Sequence, residues 1–193
     1  MKRTISMTLA TLLCALAAPA QQRNVDTDKS TITIHVGKTG ILSGLGHEHE
    51  VRAPIHGGTA ELGANPVVEI HVDARALQVI DKDASDQERA EVQQTMLGPE
   101  VLDSRDHPDI VFKSTAAESA GQNRWNLRGN LTLRGQTRPV TVQVTLDNNT
   151  HYSGEASVKQ TDFAIKPPGK AGIRAKDELK IQFDIQLAPY YAN

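Results

Sequence analysis

The sequence predicts an all-β fold, an antiparallel sheet closed on itself or doubled, with a single helix laid across one end or side of it. Three observations carry this. Segment after segment alternates apolar and polar residues with period two, the signature of strands with one buried and one wet face. Only Asp86 to Leu97 carries helix start and stop signals instead. The chain has 193 residues and one cysteine, Cys14, which lies in an N-terminal leader. One domain is therefore expected, held by a core and not by disulfides.

The leader comes first. Lys2 and Arg3 precede a mostly apolar run from Ile5 to Ala18, and Ala18-Pro19-Ala20 has the small-x-small form of a cleavage site. Residues 1–20 are expected to be a secretory signal peptide cleaved near Ala20, leaving a periplasmic protein over residues 21–193. The apolar run is shorter than the roughly 18 residues a spanning helix needs. Leu13, where a small residue would be wanted before Cys14, speaks against lipid attachment.

The first strand is Thr31 to Lys38, with Ile32, Ile34 and Val36 on one face and Thr31, Thr33 and His35 on the other. Gly37, Gly40, Gly44 and Gly46 break the chain into turns. In Gly46 to Arg52, strand spacing points His47, His49 and Val51 one way and Glu48, Glu50 and Arg52 the other. Ala53-Pro54 ends or kinks that strand. Thr59 to Leu62 and Val67 to Asp73 follow, the latter with Val68, Ile70 and Val72 on one face. Ser85 and Glu88 have the spacing of a capping box, and Ala90, Val92, Met96 and Leu97 form an imperfect apolar stripe. Gly98 is expected as the C-terminal cap, with Pro99 preventing continuation.

The chain is organised around Val101 to Thr115. Asp103, Ser104 and Asp106 make its first half a polar turn, and Pro108 forces His107 away from helical angles. Its second half, Ile110 to Thr115, reads as a strand. Four strands then show the clearest alternation. One face of each carries, in turn, Trp125, Leu127, Gly129, Leu131 and Leu133; Val140, Val142, Val144 and Leu146; Tyr152, Gly154, Ala156 and Val158; and Leu179, Ile181, Phe183, Ile185 and Leu187. Arg134-Gly135-Gln136-Thr137 and Asp147-Asn148-Asn149 are expected as hairpin turns.

Several of these segments, in this order, resemble the YceI-like family. The central stretch matches through Val101-Leu102-Asp103, His107-Pro108 and Val111-Phe112-Lys113-Ser114-Thr115. Gly129 to Val140 is similar to the family's "GDLTIRGVTKPV" segment almost position by position. Thr161-Asp162-Phe163-Ala164-Ile165 resembles its "SDFGI" step, and Lys176 to Ile181 its closing "DEVKI" strand. The chain departs from the pattern at Val101-Leu102, where an aromatic pair is common, and in its His- and Glu-rich run from His47 to Glu50. The resemblance implies a lipocalin-like antiparallel β-barrel with one short crossover helix. It further implies an exported protein that binds a polyisoprenoid chain in the barrel lumen.

The inward positions expected to line that lumen are Trp125, Leu127, Gly129, Leu131, Leu133, Val142, Val144, Gly154, Ala156, Phe163, Ile181 and Phe183. The same residues would equally form a packed core. Gly129, Gly154 and Ala156 favour a hollow, since small inward side chains leave volume. His47 and His49, with Lys170 and Arg174 from the basic run Lys166 to Lys176, are expected at a polar mouth as headgroup contacts. A metal reading of His47 and His49, with His56 returning nearby, stays open, although His-x-His alone is a weak pattern. No cofactor is expected.

Other function classes are disfavoured. Without Lys2 and Arg3 the formal charge falls from −2 to −4, a poor basis for neutralising phosphates. Only 4% of residues are aromatic, too few for base-stacking platforms, so no nucleic-acid partner is expected. No nucleophile elbow, phosphate loop or catalytic cysteine is present, and the expectation is a binding protein and not an enzyme. The expected partner is an isoprenoid lipid or similar amphiphile. Transient contact with a membrane surface, a homodimer, a metal-binding periplasmic role and a stress-related structural barrel without a small ligand stay open.

Overall fold

A computed structural model describes residues 21–41, 44, 48–62, 66–148 and 150–189. Residues 1–20, expected as a leader, and His47 lie outside them. The strands before the helix are β1 (Gln21–Asn24), β2 (Thr31–Thr39), β3 (His49–Arg52), β4 (Ile55–Leu62), β5 (Val67–Asp73) and β6 (Gln78–Val79), of which β1 and β6 fall outside the alternating segments. After α1 (Asp86–Leu97) come β7 (Asp109–Gly121), β8 (Arg124–Leu133), β9 (Gln136–Asn148), β10 (His151–Lys159), β11 (Gly169–Lys170) and β12 (Ile173–Gln186). Every pairing among them is antiparallel, as the all-β reading requires.

The hydrogen-bonded path runs β1–β4–β5–β7–β8–β9–β10–β12–β2–β3–β6, with β1 and β6 as its short outer strands. β4 and β3, next to those ends, are consecutive halves of one run, separated by Ala53 and Pro54. β3 pairs with β2 (Thr33 opposite Arg52), and β4 pairs with β5 (Ile55 opposite Val72). The Ala53 N–H still donates to Ile32 O (2.9 Å), but Pro54 has no N–H to continue that ladder. The chain bends there and changes partners, and the bend closes the sheet into a barrel. Both residues flanking Pro54 are buried, Ala53 at 3% and Ile55 at 6% exposure, so the corner faces inward.

The two barrel ends are built differently. At one end α1 crosses the opening. Its capping box forms as predicted: Ser85 N–H donates to Glu88 Oε2 (2.8 Å) and Glu88 N–H to Ser85 Oγ (3.2 Å). Gln93 ties the helix to the sheet, accepting from Val79 N–H (2.8 Å) and donating to Leu77 O (2.7 Å). Gly98 is the C-terminal cap as expected, in an extended conformation (φ −71°), and its N–H donates to Thr95 O (3.2 Å). The left-handed residue is Asp103 (φ 48°), whose N–H donates to Gly98 O (2.8 Å). The turn after the helix buries Val101 and Leu102 in a core with Val72, Leu133, Phe163 and Ile165.

The β8–β9 hairpin closes on Arg134 (φ 49°) and Gly135 (φ 68°), the two left-handed residues a two-residue I′ turn needs. Arg134 then joins three segments, donating to Pro99 O (2.7 Å) beyond the helix and to Ala164 O. At the far end the two terminal segments meet. Val25 bridges Leu187, Asp26 N–H donates to Gln186 O (2.8 Å), and Ala188 N–H donates to Asn24 O (2.8 Å). Val25, Ile55, Ala60, Ile185 and Leu187 form a second core there.

Two inward glycines depart from the expectation that they leave free volume. Gly154 sits opposite Phe183, and a Cβ on it would lie 2.4 Å from Phe183 Cζ and 2.0 Å from Gln143 O. A Cβ on Gly129 would lie 2.5 Å from Phe112 Cε2. Aromatic rings from neighbouring strands lie across both positions, a cross-strand pairing that fills the space. Gly154→Ala is therefore expected to destabilise the barrel by about 1–3 kcal/mol through overpacking. Gly57→Ala, where a Cβ meets nothing within 4 Å, should stay within about 0.5 kcal/mol of wild type. Urea unfolding of both variants checks this, and equal losses would show that contact at Gly154 is not the cause.

A His–Asp cluster clamps the far end. His151 Nε2 lies 2.6 Å from Asp184 Oδ1 and its Nδ1 3.1 Å from Asp147 Oδ2. The hydrogen bond to Asp184 raises the His151 pKa above its ordinary 6.5, with Asp147 adding to it. A raised folded-state pKa contributes stability that is complete below the unfolded value and is lost as pH rises through the folded one. His151→Gln should therefore fall further below wild type in unfolding free energy at pH 6 than at pH 9. A gap that does not change with pH counts against the clamp.

Candidate functional site

The barrel encloses a cavity of about 1050 Å³, at the upper end of the sizes that hold small molecules. Its wall extends from Lys38, Lys170 and Arg174 at the helix end to Val25 and Leu187 at the far end. Trp125, Leu127, Leu131 and Leu133 of β8 line it, with Val142 and Val144 of β9, Ala156 of β10, and Ile181 and Phe183 of β12. Gly129 and Gly154 are not on the wall, because the rings of Phe112 and Phe183 cover them. Phe163 is not on it either. It sits in a short 3-10 turn, Gln160–Phe163, 1% exposed, packed into the core at the helix end.

The other half of the wall lies on strands that were not expected to line the lumen. It comes from Ile32, Ile34 and Val36 of β2, Val68, Ile70 and Val72 of β5, and Phe112 of β7. The same alternation marks these residues, so the signal was present. Val92 and Met96 of α1, with Val101 and Leu102, close the helix end with apolar surface.

Packed core and hollow lumen are told apart by burial. Residues in a close-packed interior lose nearly all exposure. Here Ile32, Ile34, Phe112, Leu131, Val142 and Ile181 point inward yet remain only half-buried. Their side chains border open space on one side while several of them pack on the cores at the barrel ends on the other.

Polar groups on the wall gather at the helix end: His49, Lys38, Lys170, Arg174, Glu88 and Glu91. His49 is held by a residue the sequence did not single out. Asp81, whose side chain is 4% exposed, accepts at Oδ1 from Glu50 N–H (2.6 Å), and its Oδ2 lies 2.6 Å from His49 Nδ1. Nothing in local spacing announces this pair, since β4, β5 and β6 intervene between the two residues. His56 sits exposed at the start of β4, next to buried Ile55. Among the described residues no group of three His, Cys, Asp or Glu side chains is placed to hold a metal ion.

The run Lys166 to Lys176 is more ordered than a loose basic loop. β11 and β12 pair within it, Gly169 opposite Arg174 and Lys170 opposite Ile173. Ala171 (φ 51°) and Gly172 (φ 82°) supply another two-residue I′ turn. Lys170 and Arg174 thus sit on a hairpin of fixed register at the edge of the cavity.

The family model of the YceI-like domain matches residues 24–187. A UPF0312 protein of Pseudomonas savastanoi pv. phaseolicola is 31% identical over 77 residues, 35% of this chain and 40% of that protein. One from Pseudomonas putida strain W619 is 30% identical over 89 residues, 42% of this chain and 46% of its own. The chain thus spans less than half the length of these curated relatives. Among solved structures, BcnA of Burkholderia cenocepacia is similar with a TM-score of 0.67 at 21% identity, over 86% of this chain and 99% of its own. A polyisoprenoid-binding domain from Saccharophagus degradans gives a TM-score of 0.56 at 11% identity, over 88% and 99%. Identities this low speak to the fold alone, and the lipocalin-like barrel is that fold.

Proposed function

The chain belongs to the YceI-like domain family, and on that premise we propose that it is an exported binding protein whose barrel holds a long isoprenoid-type chain, as carrier or sequestering protein. The observation that carries this reading is the half-buried state of the inward apolar residues around a cavity of about 1050 Å³. A hydrocarbon tail would take up the exposure those residues retain. It gains roughly 0.8 kcal/mol for each methylene moved out of water, so a long chain binds without a charged anchor. The polyisoprenoid-binding domain of Saccharophagus degradans, with the same fold, supports the choice of ligand class. The reading assigns binding and no chemical step.

Export to the periplasm follows from the leader, with Ala18-Pro19-Ala20 as the cleavage site. Intact-mass measurement of protein exported by a bacterial host should give a chain starting at or near Gln21. A mass that keeps residues 1–20, or shows a lipid on Cys14, overturns this part.

The lumen is tested by filling it. Gly154 is unsuitable, since a Cβ there already collides with backbone. Ala156 borders the cavity with the smallest side chain on β10 that does so. Ala156→Phe, once shown to be folded, should bind a fluorescent polyprenyl analogue at least about tenfold more weakly, a change of about 1.4 kcal/mol. Unchanged affinity would mean that the tail does not pass Ala156. If wild type shows no saturable binding, the lipid reading fails and a barrel without a small ligand replaces it.

A further inference from the structure

We infer that the helix-end mouth selects an acidic headgroup, a carboxylate or a phosphate monoester, and that Lys170, Arg174 and His49 read it. This rests on the tail lying in the lumen. The charge accounting at the mouth points to it. Lys170 and Arg174 are exposed on the cavity edge, and among the described residues neither has a hydrogen-bond or ion-pair partner. The acids nearby are largely engaged. Glu88 Oε2 accepts from Ser85 N–H (2.8 Å) and Oγ (2.7 Å), fixing the start of α1. Asp81 is buried under His49 and the Glu50 N–H. Glu91 accepts from Gln87 Nε2 (3.3 Å) and is the remaining acid on the wall.

Two further features make the cations and the imidazole a built site and not a scatter of surface charge. The I′ turn at Ala171-Gly172 and the pairing of Gly169 with Arg174 hold both cations on one rigid hairpin. Asp81 takes Nδ1 of His49, which leaves Nε2 as the nitrogen available at the cavity wall. An acid oxygen reaching Nε2 would meet a ring whose other nitrogen is already held by a buried carboxylate. The apolar wall behind the mouth is poorly polarisable and concentrates the field of the two cations at its opening. Since both are exposed, their contribution is selectivity of modest size and not the bulk of the affinity.

The test uses matched pairs that differ only in the headgroup: farnesyl phosphate against farnesol, and oleate against oleyl alcohol. Each displaces a fluorescent polyprenyl analogue from the mature protein at low salt. The acid of at least one pair should bind about fivefold more tightly than its alcohol, an advantage that shrinks as salt is added. Preference in the farnesyl pair alone assigns phosphate, and in the oleyl pair alone carboxylate. Lys170→Gln with Arg174→Gln, both exposed and checked by thermal melting, should erase the difference within each pair. His49→Gln should reduce it. Equal binding of acid and alcohol by wild type, or a preference that survives the double variant, overturns the inference while leaving the lumen reading intact. If neither acid nor alcohol binds, both fall together.

Discussion

The barrel depends on one backbone constraint, the missing N–H of Pro54. It ends the ladder of the run from His49 to Leu62 with β2, which itself begins only at Thr31. Because the ladder to β2 stops at Ala53, the rest of the run is released to pair with β5. One bent segment therefore serves two opposite edges. Closure removes exposed strand edges along most of the wall, which otherwise invite association.

A closed wall still has to be stable around a hollow. Ordinary domains gain stability by packing inward faces on each other, and here much of that gain is forgone along the middle of the barrel. Packing is concentrated at the two ends instead. At the helix end Val101, Leu102, Leu133, Phe163 and Ile165 form the larger core, and Arg134 ties the turns above it. At the far end Val25, Ile55 and Leu187 form the smaller one. The wall between needs to be only apolar and regular. α1 fits the same division: none of its residues is buried, and it covers the opening instead of filling it.

Much of this was legible in the residues. Period-two alternation identified the strands and, for the later half, the inward faces. Ser85 with Glu88 placed the helix start, and Arg134-Gly135 the hairpin. What was not legible depends on relations across strands. Whether Gly154 opens space or receives a ring is decided by Phe183 on the neighbouring strand, and register is not written in either sequence segment. The placement of Phe163 in the core depends on a 3-10 turn that brings it behind the wall. The pairing of His49 with Asp81 depends on β6 returning beside β3. Gly98 caps the helix as expected, but the left-handed reversal falls later, at Asp103, where Leu102 and Ser104 donate back to the last turn of the helix.

The meeting of the terminal segments sets the order of assembly. β12 lies between β10 and β2, and Ser30 Oγ accepts from the N–H of Gln186, 156 residues later. Until β12 is made, β2 and β10 each lack a neighbour and the ring stands open. A ribosome-bound chain can form the β7–β8–β9–β10 meander early, since its contacts are local. The closing contacts bridge nearly the whole sequence and carry a large loop-closure entropy. Closure is therefore the step that costs the most chain entropy, and the meander needs none of it to form.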